Sequence, residues 1–104
     1  VPEALPIPAD LVDLQRTVTA ARDELYEYIA QVEAERRAQF PEPTQIVERR
    51  TWPEGQIARA DELREAERTA ARAIRTHPTM VQALAERCYH QTDVALRKAA
   101  TEAQ

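Results

Sequence analysis

Near the end of the chain, Glu86, Cys88, His90 and Asp93 carry side chains able to ligate metal or move protons. On a continuous helix, Glu86, His90 and Asp93 share one face at steps of four and three. Carboxylate metal sites in helical bundles use Glu-x-x-His on two helices plus two further carboxylates. That spacing is absent here, so a metal would need a second set supplied across a homodimer axis. Catalytic chemistry has less to draw on. The chain has no serine, which removes a Ser–His–Asp arrangement, and one glycine, which removes a glycine-rich phosphate cradle. Cys88 and His90 are two apart and point to different sides of a helix. Cys88 reads as a small buried side chain on an apolar stripe. His77, beside Pro78, reads as a helix-end residue. The expectation is therefore a protein that is not an enzyme, with no catalytic residue, no metal and no cofactor.

The second candidate is electrostatic. Arg64, Arg68, Arg72 and Arg75 step four, four and three along one helix face. Such a stripe could grip phosphates, and with Arg97 it forms the candidate nucleic-acid contact. Glu62, Glu65 and Glu67 stand among these arginines and cancel most of their field. Glu24, Glu27, Gln31 and Glu35 make a comparable acidic edge upstream. An antiparallel neighbour, within the chain or from another copy, could match the two edges. The net charge of -4 gives no case for wholesale nucleic-acid binding.

The elements that position these residues begin with a long run. Leu11, Leu14, Val18, Ala21, Leu25, Tyr28 and Val32 recur at steps of three and four, the period of one helix face. No Gly or Pro interrupts residues 10–40, so the spacing predicts a helix over 9–40, roughly 46 Å long at 1.5 Å per residue. Residues 1–8, with three prolines, predict an extended arm in which Leu5 and Ile7 cross a neighbouring helix. Pro41 and Pro43 end the helix. Ile46 and Val47 suit either a short extended piece or one helical turn; residues 41–50 are read as a loop that tucks Ile46 and Trp52 under the helices, with Trp52 a hydrophobic plug. Thr51 and Glu54 have the spacing of a capping box and open a second helix over 51–76. Its inward face is Ile57, Ala60, Leu63, Ala66, Ala70 and Ile74, and its alanines allow close approach of two axes.

Pro78 leaves two alternatives: a third helix over 77–102, or a kinked continuation of the second. The residue before proline resists helix, and Thr76 or Thr79 can cap a new start, with Gln82 completing a box with Thr79; we read a break. The third stripe is Val81, Leu84, Ala85, Cys88, Ala95, Leu96 and Ala99. The fold class is thus all-α: an antiparallel hairpin of two long helices plus a third helix, one domain over 1–104. Only 5 % of residues are aromatic, so the core is thin. Small domains bury too little surface alone, which points to self-association as a dimer or docking on another helical protein. The face for this is Leu11, Leu14, Val18, Leu25, Val32, Ile74, Val81 and Leu84. No apolar run reaches the roughly 20 residues of a membrane span, and no signal pattern opens the chain. The single cysteine suits a reducing, cytoplasmic setting.

Leu84-Ala85-Glu86-Arg87 followed by Thr92-Asp93-Val94-Ala95-Leu96-Arg97-Lys98 resembles the helix-turn-helix of bacterial transcription regulators. There the Leu-Ala pair lies on the first helix and the Thr-Val-like segment opens the recognition helix. Cys88-Tyr89-His90 stands where that pattern has a glycine-bearing turn, and the spacing is one residue short. The resemblance implies a small DNA-binding or regulatory protein. The residues themselves favour a non-enzymatic helical interaction module, a scaffold or adaptor.

Overall fold

A computed structural model describes residues 2–102. Among them it contains five helices and no strand: α1 (Ala9–Gln39), α2 (Ile46–Arg50), α3 (Glu54–Arg75), α4 (Pro78–Ala85) and α5 (Tyr89–Glu102). The body measures 55 × 25 × 23 Å. None of these helices is long and apolar enough to cross a membrane.

The apolar residues that α1 buries fall one in every seven, Leu11, Val18, Leu25 and Val32, and Gln15 is buried with them. α3 answers with Ala60, Leu63, Ala70 and Ile74. This spacing keeps a narrow apolar seam between two helices. Arg22 reaches Glu67 and Glu24 reaches Arg59 from α1 to α3, both at 3.2 Å. Ile57 and Ala66, expected on the inward face of α3, are exposed. Near the start of α1 the seam gains a further layer. Met80 of α4 and Leu96 of α5 join Leu11, Val18, Ala70 and Ile74 in one cluster, and Ile7 of the arm packs against it. The arm is pinned where the backbone N–H of Leu5 donates to Thr92 Oγ1 at 3.1 Å. Thr92 is fully buried, and this bond satisfies a hydroxyl that would otherwise weaken the core.

The connector between α1 and α3 is not the loop that its prolines suggest. Ile46–Arg50 forms α2, and Ile46 and Val47 stay exposed rather than tucked under the helices. Two arginines hold the segment. Arg36 donates to the carbonyls of Glu48 and Thr51 at 2.6 and 2.8 Å. Arg49 donates to those of Phe40 and Glu42 at 2.9 and 2.8 Å. Charge-assisted bonds to backbone oxygens thus replace the expected apolar contact. Thr51 makes no capping box. Its hydroxyl donates to Val47 O, and Pro53 occupies the cap of α3 without a side-chain bond.

The chain breaks at Pro78, with α3 ending at Arg75 and α4 starting at Pro78. Neither threonine caps the new helix. His77 does, its Nδ1 accepting from the Thr79 N–H at 3.1 Å. An acceptor at Nδ1 places the ring proton on Nε2, which donates to Asp10 Oδ2 at 2.9 Å. One imidazole therefore ties the start of α1 to the start of α4. The His77 bond holds the Asp10 carboxyl below its ordinary value of 3.8. A depressed folded-state value adds stability above the unfolded value, and that stability is lost as pH falls through the folded one. In thermal melts, Asp10→Asn should therefore lower Tm at neutral pH, and the gap from wild type should close as pH falls below 3.8 and through the lowered folded-state value. A gap independent of pH would show that the pair contributes nothing through ionisation.

The expected helix over 77–102 is broken a second time, at Glu86–Cys88. Arg87 has φ 60°, in the left-handed region. The Cys88 N–H bonds to Ala83 O at 2.9 Å and the Arg87 N–H to Leu84 O at 3.2 Å. These two bonds close a Schellman turn, with buried Cys88 meeting the level of buried Ala83. The earlier break, at Pro78, resets the helical phase of α4. Val81 and Leu84, expected on the inward stripe, are exposed, while Met80 and Ala83 are buried. On α5 the inward positions are Thr92, Leu96 and Ala100. A side chain in the left-handed region costs about 1–2 kcal/mol, part of which glycine returns as unfolded-state entropy. Arg87→Gly should raise Tm by a few degrees, consistent with about 0.5–1 kcal/mol. A lower Tm would place the value of Arg87 in its side-chain contacts instead.

Candidate functional site

The break at Glu86–Cys88 dissolves the acid–histidine cluster. Glu86 closes α4 while His90 and Asp93 lie on α5, so the three do not share one helix face. Asp93 instead accepts from Arg97 Nε at 3.1 Å, and Glu86 accepts from the Gln82 side chain. Cys88 is buried in the turn. Among the described residues, no three of His, Cys, Asp and Glu converge as a ligand set.

The arginine stripe does form a surface. Arg64, Arg68, Arg72 and Arg75 line one wall of a depression of about 370 Å³ between α1 and α3. Leu25, Tyr26 and Ala71 supply its apolar part. The helix period explains this: Arg64, Arg68 and Arg75 lie on one flank of the α3 seam, and Tyr26 lies on the facing flank of α1. Arg64 pairs with Asp61 at 3.1 Å and Arg68 with Glu65 at 2.9 Å, each within its own helix. Glu67, also at the depression, is engaged by Arg22. Arg72 and Arg75 have no carboxylate partner among the described residues. Arg97 does not join them. It lines a separate depression of about 410 Å³ between α1 and α5, beside Arg16 and Arg22.

The acidic edge of α1 does not meet the stripe within the chain. Glu24 takes Arg59, and Glu35 accepts from Gln31 and Gln56. These contacts fall on the flank of the seam opposite Tyr26.

Of the expected interaction face, Leu11, Val18, Leu25, Val32 and Ile74 are consumed in the chain's own core. Leu14 is half-buried against it. Val81 and Leu84 stand exposed, at 55 % and 68 %. Sequence reasoning overlooked Tyr26, which is 60 % exposed, because it lies off the apolar stripe beside Leu25. A large aromatic out of phase on an otherwise polar flank was the available signal. Trp52 is half-buried and lines a shallow depression with Ile57 and Arg64 at the far end of the same face. Comparison with known protein families, with curated proteins and with solved structures finds no match to this chain.

Proposed function

We propose that the chain is a non-enzymatic helical interaction module, an antiparallel coiled-coil-like hairpin of α1 and α3, that associates with a second copy of itself through α4. The observation carrying this proposal is the exposed pair Val81 and Leu84, one helical turn apart, with Ala85 exposed beside them. Single exposed aliphatic residues are ordinary on any surface; a contiguous set invites a partner. A twofold interface pairs a patch with itself, so a charged patch would meet its own sign. Residues 78–85, PTMVQALA, carry no charge, which suits self-pairing. Sedimentation across a concentration series tests it. Wild type should shift from monomer to dimer, and Val81→Asp with Leu84→Asp should stay monomeric with the melting curve of monomeric wild type. A wild type monomeric at all concentrations would remove the dimer.

A second function is favoured by one observation. α4, the three residues 86–88 and α5 have the lengths of a helix-turn-helix, with Arg87 taking the left-handed turn position. Arg97 and Lys98 are exposed on α5, though paired with Asp93 and Glu102. If α5 reads DNA, duplex retention should weaken with salt and be lost on Arg97→Glu. No retention at low salt would exclude it.

A further inference from the structure

We infer that the arginine-walled depression between α1 and α3 is a docking groove for an acidic amphipathic helix of a partner protein. It uses residues other than the α4 patch and does not depend on self-association. Two antiparallel helices present a groove into which a third helix lays its apolar face. Exposed Tyr26 and half-buried Ala71, above the buried Leu25, supply apolar surface for that contact. The wall above it repeats arginine at the three- and four-residue spacing of a helix, so carboxylates at the same spacing on a partner helix can pair in register. Arg72 and Arg75 are left without carboxylates among the described residues, ready for that pairing.

Charge decides between occupants. Asp61, Glu65 and Glu67 stand within or beside the groove, so four arginines face three carboxylates. Nucleic-acid affinity rises with the number of phosphates neutralised, and carboxylates at the surface oppose it. A protein helix needs only two or three matched carboxylates and tolerates the rest at its rim. A second copy presenting the same groove would bring arginine against arginine.

The test uses the full chain and a fluorescent synthetic helix of about five turns, with leucine on its seam and glutamate on both flanks. Its control replaces every glutamate by lysine. Fluorescence anisotropy at low salt should show saturable binding of the acidic helix and none of the lysine helix. Arg72→Glu with Arg75→Glu should weaken binding at least about tenfold, whereas Arg72→Lys with Arg75→Lys should keep most of it. Arg72 and Arg75 are exposed, so melting curves of both variants should match wild type and verify the fold. Equal binding of the two helices, or no loss in the glutamate variant, overturns the proposal. Tighter binding of a short DNA duplex than of the acidic helix reassigns the groove to nucleic acid. Failure of the α4 dimer leaves these outcomes untouched.

Discussion

Leu25→Asp should abolish the cooperative thermal transition of this chain. Leu25 is buried at the middle of the α1 seam, outside the cluster that Met80 and Leu96 complete, so α1 and α3 provide its cover. Arg22 is held by Glu67, and the arginines of the adjoining depression are exposed, so no cation is buried beside Leu25. An aspartate there either stays charged without a partner or takes up a proton, and each costs several kcal/mol. Domains of this size hold only about 5–15 kcal/mol, so a loss of about 3–5 kcal/mol is a large share of the margin. Each kcal/mol moves Tm by about 4–8 °C at this length, so the melt should fall by about 12–40 °C or flatten altogether. Tyr26→Asp, one residue along on the exposed flank, should leave the transition nearly unchanged. Circular dichroism melts of the two variants make the comparison. Equal behaviour would mean that the seam is not the core.

That seam was legible because burial itself sets the spacing. Leu11, Val18, Leu25 and Val32 recur every seven residues, and only a helix with one covered face produces such a series. The end of α1 at Pro41 and Pro43 and the break at Pro78 were legible for a steric reason, since a proline ring limits its own torsion and that of the residue before it. The turn at Arg87 was not. A left-handed helix terminus normally announces itself by glycine, and here an arginine occupies it. The apolar series Ile74, His77, Val81, Leu84 and Cys88 also happens to run on in phase, so periodicity alone projected one helix where two exist. The connector was hidden for another reason. Arg36 and Arg49 bind backbone carbonyls, and an acceptor present in every residue leaves no mark in the sequence. The arginine stripe was visible as spacing. Its wall of Tyr26 and Leu25 required knowing which flank of α1 faces α3, and that comes only from packing. The same holds for its remote companion Arg97, separated from it once α5 settles on α1.

The reset phase after Pro78 makes the last expected result a contrast between neighbours. Met80 is fully buried in the cluster joining α1, α3 and α5. Val81, the next residue, is 55 % exposed. Met80→Ala removes a long side chain that fills the space between three helices. The lost transfer free energy and the cavity left behind together cost about 2–5 kcal/mol. Val81→Ala trims atoms already in water and should stay within about 0.5 kcal/mol. Denaturant melts should therefore show a large drop in midpoint for the first and almost none for the second, with similar slopes. The comparison must be made at a protein concentration where both variants are monomeric, because Val81 also belongs to the proposed α4 contact and dimerisation stabilises by mass action. If Val81→Ala proves the costlier change, α4 packs by the stripe read from periodicity. The break at Pro78 would then not reset the phase of α4.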